Sequence, residues 1–138
     1  MIMNDEQLEQ VVDLISNSDY LGLLLKKLVD TGRNELLIHK CIEKLSDFIS
    51  GNNDALGKFI VYCVSNGKTN EPYFRNAMNG MKNDTVMLRV FFEMLDKNEA
   101  LCLEYYQKRR KPDGTAYLTN MSQIERMNSE LARRGLLK

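Results

Sequence analysis

The sequence predicts an all-α protein of about eight helices, on three observations. Apolar residues recur at a spacing near 3.6 from end to end. Leu, Lys, Glu and Met are abundant, which favours helix, and long β-branched runs are absent. Glycine, proline and capping residues fall where the periodic stretches stop and start. At 138 residues, with 43% hydrophobic and 28% charged side chains, the chain has the size and composition of a single globular domain.

The elements follow in order. Asn4 is placed to cap a first helix carrying Leu8, Val11, Val12 and Ile15 on one face, over about residues 4–17. Ser18 or Asp19 starts a second helix holding Leu21, Leu24, Leu25 and Leu28, with Gly32 as its stop. The third runs from about Asn34 to Ser50, striped by Leu37, Ile38, Cys41, Ile42, Leu45, Phe48 and Ile49, and Gly51 closes it. The run Phe59 to Val64 is apolar all round, and alone it would also suit a buried strand. Asp54 as a cap and Gly67 as a stop make it a central buried helix. Pro72 suits the first turn of a fifth helix, where its missing N–H costs nothing. Asp84 caps a sixth with Met87, Leu88, Phe91, Phe92 and Leu95. A seventh spans about Glu99 to Lys111 and ends at the turn Pro112-Asp113-Gly114. The last, from about Asn120, carries Met121, Ile124, Met127 and Leu131 and stops at Gly135.

An internal match relates the second helix to the fourth. At an offset of 35, Asp19, Leu21, Gly22, Val29 and Gly32 meet the identical Asp54, Leu56, Gly57, Val64 and Gly67. With one inserted residue, the apolar positions Leu37, Ile38, Cys41, Ile42 and Leu45 meet Tyr73, Phe74, Ala77, Met78 and Met81. A fainter third copy continues through Val90, Phe91, Met94 and Leu95. Helix pairs at this period suggest a stack in which neighbours bury each other's faces and atypical helices cap the ends. In spacing, residues 19–106 resemble the armadillo and HEAT class of helical repeats, without a signature motif of either family. The resemblance implies a scaffold that binds partners along a grooved face. An irregular helical bundle is the alternative architecture.

Charge is distributed unevenly along a chain that is neutral overall. Residues 1–104 hold 16 acids against 11 bases, a net of −5, and residues 105–138 hold 3 acids against 8 bases, a net of +5. The domain therefore divides into an acidic helical body and a basic C-terminal segment with its terminal helix. In that segment Lys108, Arg109, Arg110 and Lys111 follow Tyr105 and Tyr106, and Arg126, Arg133 and Arg134 lie on the last helix. Clustered bases neutralise phosphates and tyrosines stack on nucleobases, so these nine residues are the candidate binding set. In a eukaryotic source the four consecutive bases would also serve as a nuclear-import address. Thr115 to Leu131 threads onto a helix-turn-helix, with Asn120 at the turn, but its apolar positions fit poorly. Bases near a helix C-terminus also favour its dipole without any ligand.

No catalytic constellation is legible. There is no glycine-rich phosphate loop, no Gly-x-Ser-x-Gly elbow and no Cys–His spacing that marks a nucleophile. His39 lies between Glu35 and Glu43 at i−4 and i+4, on a face expected to point to solvent. One histidine cannot complete a coordination shell, so neither a metal nor a cofactor is expected. Asp5, Glu9 and Asp13 line one face of the first helix, where acids favour the positive end of its dipole. Cys41, Cys63 and Cys102 are an odd number among apolar neighbours, which is the pattern of reduced core thiols in a cytoplasmic protein. The first ten residues lack the basic-then-apolar layout of a signal peptide, and no apolar run approaches a membrane span. The expectation is a non-catalytic, regulatory or adaptor-like module that binds a protein partner. The alternative is a nucleic-acid-binding regulator working through residues 105–138. The charge gradient also permits self-association, the acidic first helix meeting the basic last one.

Overall fold

Asparagine side chains start four of the helices. In a computed structural model, which describes residues 4–32, 35–47, 54–108 and 118–137, Asn4 opens α1 (Asp5–Leu14) through a reciprocal capping box with Gln7. Asn17 opens α2 (Ser18–Asp30). Asn83 opens α6 (Asp84–Lys97), and Asn120 opens α8 (Met121–Arg133). In each case the amide oxygen accepts backbone N–H groups that the first turn leaves unsatisfied. The second helix starts at the expected Ser18, and Asn17 before it is the cap. That of α6 is one before Asp84, whose carboxylate is used elsewhere. Between them lie α3 (Glu35–Ser46), α4 (Asp54–Ser65), α5 (Pro72–Gly80) and α7 (Glu99–Lys108). Pro72 is the first residue of α5, as expected. The described residues are all-helical, with eight helices and no strand. Asn34, Phe48 to Gly51 and the turn Pro112-Asp113-Gly114 lie outside the described residues.

Three glycines end helices in the left-handed conformation, Gly135 after α8 with φ of 74° among them. Gly32 after α2 and Gly67 after α4 have φ of 65° and 69°, a left-handed conformation that a Cβ disfavours. At the second, Lys68 N–H reaches back to the Cys63 carbonyl at 2.9 Å, closing the orphan carbonyls of the last turn.

Each helix packs on its successor or on the one after. Pairs form between α2 and α3, α4 and α5, and α6 and α7. Across pairs, α2 packs on α4 and α4 on α6, while α3 packs on α5. Phe74 of α5 meets Tyr105 of α7 edge-on at 5.8 Å, continuing the second row. At the ends, α1 lies against α3 and α8 against α6. The apolar run Phe59–Val64 is helical, and Phe59, Ile60 and Cys63 are fully buried at its centre. Phe59, Phe74 and Phe91, one from each of α4, α5 and α6, are the largest fully enclosed side chains. Burying one such ring contributes about 3 kcal/mol against the entropy of ordering the chain.

Polar clamps fix the pairs in register. Lys40 of α3 bridges Glu9 and Asp13 of α1 at 2.9 and 3.0 Å. The hydrogen bonds to Glu9 and then Asp13 hold its ammonium above the ordinary value. Lys44 donates to the Val12 and Asp13 carbonyls at 2.5 and 2.8 Å, so α3 supplies the cation that the end of α1 lacks. Glu9 and Asp13 of the first helix are therefore engaged within the chain. Asp54 of α4 holds Arg89 of α6 and, at 3.3 Å, its own Lys58. Burial pushes that carboxyl up, but Arg89 and then Lys58 outweigh it and keep it below the usual range.

All three cysteines are buried free thiols. Desolvation pushes Cys41 up to about 11 and Cys63 and Cys102 up to about 12. Reaction needs the thiolate and access to it. A disulfide-exchange reagent at pH 8 is therefore expected to label none of them in the native protein and all of them in denaturant. Rapid native labelling would contradict this packing.

A glycine pair supplies a second test. A Cβ on Gly57 would lie 2.7 Å from Val86 Cγ1 and 3.3 Å from Val90 Cγ2, whereas one on Gly22 would meet Ala55 Cβ at an ordinary 3.4 Å. Gly57→Ala is expected to lose about 1–2 kcal/mol through overpacking, after its gain in helix propensity. Gly22→Ala is expected to be neutral or to gain up to about 1 kcal/mol. Equal effects in denaturant titrations would refute the close approach of α4 and α6.

Candidate functional site

The absence of side chains at Gly22 and Gly57 opens one face of the α2–α4–α6 row. Between α4 and α6 lies a cleft of ≈ 570 Å³, with Gly57, Val61, Tyr62 and Val90 on its walls and Lys26 and Glu93 at its edges. A smaller cleft of ≈ 290 Å³ between α2 and α4 shares Lys26 and Lys58 with it and is lined by Gly22, Leu23 and Ala55. Lys26 Nζ sits 5.8 Å from the centre of the Tyr62 ring, and that ring stacks on Phe59 at 6.3 Å. At the mouth of the smaller cleft Leu23 is 65% exposed, and Tyr20, one helical turn earlier, is 61% exposed. The groove thus has an apolar floor, an anchored aromatic wall and rims carrying both signs of charge. Such a surface suits a polypeptide segment with apolar anchors.

A separate cleft of ≈ 530 Å³ opens between α5 and α7. Its walls are polar, including Asn70, Glu71, Arg75, Asn79 and Glu104. Asn76 faces this cleft and bonds His39 Nδ1 at 2.9 Å, while His39 Nε2 lies 4.0 Å from Glu35. The expectation that His39 points to solvent is corrected: the ring is half-buried between α3 and α5 because its free nitrogen pairs with the Asn76 amide. Among the described residues no group of three His, Cys, Asp or Glu side chains is placed to hold a metal ion.

Of the candidate basic set, the structure describes the side chains of Tyr105, Tyr106, Arg126, Arg133 and Arg134. Tyr106 is 4% exposed. Its hydroxyl donates to Asn128 Oδ1 at 2.6 Å and its ring meets Phe91 edge-on at 5.8 Å. Tyr105 is half-buried against Phe74. Tyr106 is thus no open stacking platform, whereas Tyr105 keeps part of its surface on the α5–α7 side of the fold. Arg133 and Arg134 both pair with Glu130, and Arg134 also reaches Asp96 of α6 at 2.8 Å. Arg126 is exposed on α8. Lys108 ends α7, and its side chain, Arg109, Arg110 and Lys111 lie outside the described residues.

The sequence does not group Lys26, Val61, Tyr62, Arg89 and Val90 as a site, because they lie on three helices far apart in the chain. A signal for them existed. Gly22 and Gly57 are mid-helix glycines matched at offset 35, and a glycine kept inside a helix despite its cost of about 1 kcal/mol points to close backbone approach.

No helix of the described residues is long and apolar enough to cross a membrane. Comparison with protein-family models, with curated proteins and with solved structures found no match.

The arginine clamp on α8 generates a pH prediction. Hydrogen bonds from Arg133 and then Arg134 hold the Glu130 carboxyl down at about 2, against an ordinary 4.5. A depressed carboxylate stabilises the fold above its unfolded pKa and loses that contribution as pH falls toward the folded one. Glu130→Gln is expected to lower the melting temperature at pH 7, with the gap to the parent closing between about pH 4.5 and 2. A gap that stays constant through that window would show that the carboxylate charge plays no part.

Proposed function

We propose that this protein is a non-catalytic, all-helical protein-interaction module, a short stack of related helix pairs whose α2–α4–α6 face receives a segment of a partner protein. The observation that carries this reading is the apolar-floored groove running past Gly22 and Gly57 to the exposed Leu23. The relation between pairs is supported by matched positions doing matched work. Gly22 faces α4 as Gly57 faces α6, and Gly32 and Gly67 stop their helices alike. Regulation and adaptor-like bridging are the uses such a module serves without chemistry of its own. A compartment inside the cell suits three unpaired thiols.

The nucleic-acid reading rests on Arg126 and on the stretch Lys108 to Lys111, because Tyr106, Arg133 and Arg134 are committed to contacts within the fold. Self-association through the acidic first helix has lost Glu9 and Asp13 to Lys40.

A photoreactive residue at position 62, in the groove, is expected to cross-link one protein partner. Leu23→Glu, a surface change, is expected to weaken capture about tenfold, or ~1.4 kcal/mol, and Arg126→Glu to leave it unchanged. A partner indifferent to Leu23→Glu would reject the groove. Salt-dependent retention on heparin, abolished by reversing the charges of Lys108 to Lys111, would establish the nucleic-acid reading instead.

A further inference from the structure

We propose that α8 is an exchangeable ligand of its own domain: the face of α6 and α7 that it covers is a second binding groove, selective for an amphipathic helix supplied in trans. The occupant it fits has three apolar side chains at i, i+3 and i+7, a hydroxyl residue before its first turn and an arginine just past its last. This surface is separate from the α2–α4–α6 groove and does not depend on it.

The way α8 is held supplies the argument. It buries only Ile124, Met127 and Leu131, whereas α6 buries seven side chains between Val86 and Leu95. Its flanks add the fully buried Leu118 and the partly buried Leu136, and its other attachments are polar and sit at its two ends and its middle. At the start, Asp84 Oδ2 accepts the Thr119 and Asn120 backbone N–H groups at 2.9 and 2.7 Å and the Thr119 hydroxyl at 2.9 Å. In the middle, Tyr106 donates to Asn128. At the end, Asp96 accepts from Arg134, and Asp96 is 69% exposed. A carboxylate at each end and a phenol between them recognise general features of a helix: free N–H groups at its start and a base after its finish. Nothing in that recognition is private to residues 121–133.

The fit is also incomplete. Gln123 Oε1 is buried without a hydrogen-bond partner among the described residues. Between α7 and α8 a cleft of ≈ 350 Å³ remains, walled by Leu103, Tyr106, Leu131 and Leu136, with Leu137 48% exposed beside it. A helix with a bulkier apolar residue there would cover surface that α8 leaves open. Displacement of one amphipathic helix by another is a known mode of groove recognition. A resident helix lowers apparent affinity for the incomer by the fraction of time the groove stands free.

The test uses the full chain and a fluorescent synthetic peptide of residues 118–137. Arg134→Ala loosens α8 while leaving Asp96 in the groove, so the peptide, which keeps its arginine, is expected to bind about tenfold tighter than to the parent protein. Asp96→Ala loosens α8 equally but deprives the peptide of the same partner, so its gain is expected to be several-fold smaller. A scrambled peptide of the same composition should bind neither. Arg134→Lys, which keeps the charge and loses the guanidinium fork, serves in place of Arg134→Ala if the latter does not fold by circular dichroism. The proposal is overturned if the peptide fails to bind any folded variant at about 100 µM, if the two variants gain equally, or if the scrambled peptide binds as well.

Discussion

Everything in this fold depends on how closely α4 is approached from its two sides. Among the described helices it alone is apolar around most of its circumference, and α2, α3, α5 and α6 all pack on it. Gly22 lets α2 come down on Ala55, and Gly57 lets α6 bring Val86 and Val90 down on α4 itself. With that spacing set, Phe59 and Ile60 are sealed, and the surface carboxylate–guanidinium contact from Asp54 to Arg89 falls into register across the same joint. The groove is the outer side of that arrangement. Helices that touch through glycine leave a furrow above the contact, and the side chains flanking it, Leu23, Val61 and Tyr62, become its walls.

The helical class and most boundaries were legible because they rest on local rules. Asp54–Ser65 and the start of α8 after Asn120 coincide with the sequence reading. The cap at Asn83 differs by one residue from the expected Asp84, because aspartate and asparagine compete for that role on nearly equal terms. Asp84 illustrates why local reasoning stops there. Its carboxylate is taken by Thr119 and Asn120, more than thirty residues on, and no periodicity announces that bond.

The site was less legible than the fold. Charge clustering drew attention to residues 105–138, but composition cannot tell a base facing solvent from one already paired. Arg133 and Arg134 both pair with Glu130 one turn earlier, a spacing that was visible. Tyr106 is buried because Phe91 and Asn128 lie on either side of it, which was not. The basic stretch and the groove therefore stand at opposite limits of what a one-dimensional reading reveals. A run of like charges is conspicuous whatever it does, while a surface shared by three helices is invisible until they are stacked.

The side-chain bonds that join helices have one more property in common. Lys40 to Glu9 spans 31 residues, Asp54 to Arg89 spans 35, Asp84 to Asn120 spans 36, His39 to Asn76 spans 37 and Asp96 to Arg134 spans 38. Each joins a helix to the next helix but one or to its cap. A chain stitched only to its neighbours closes no large loops, so the entropic barrier to folding stays low and growth can begin at the α4 joint and spread outward. The same arrangement confines damage. A lesion at one joint frays the helices on either side while the far end keeps its order, and protection against hydrogen exchange should fall in steps from α4 toward α1 and α8 rather than in one cooperative drop.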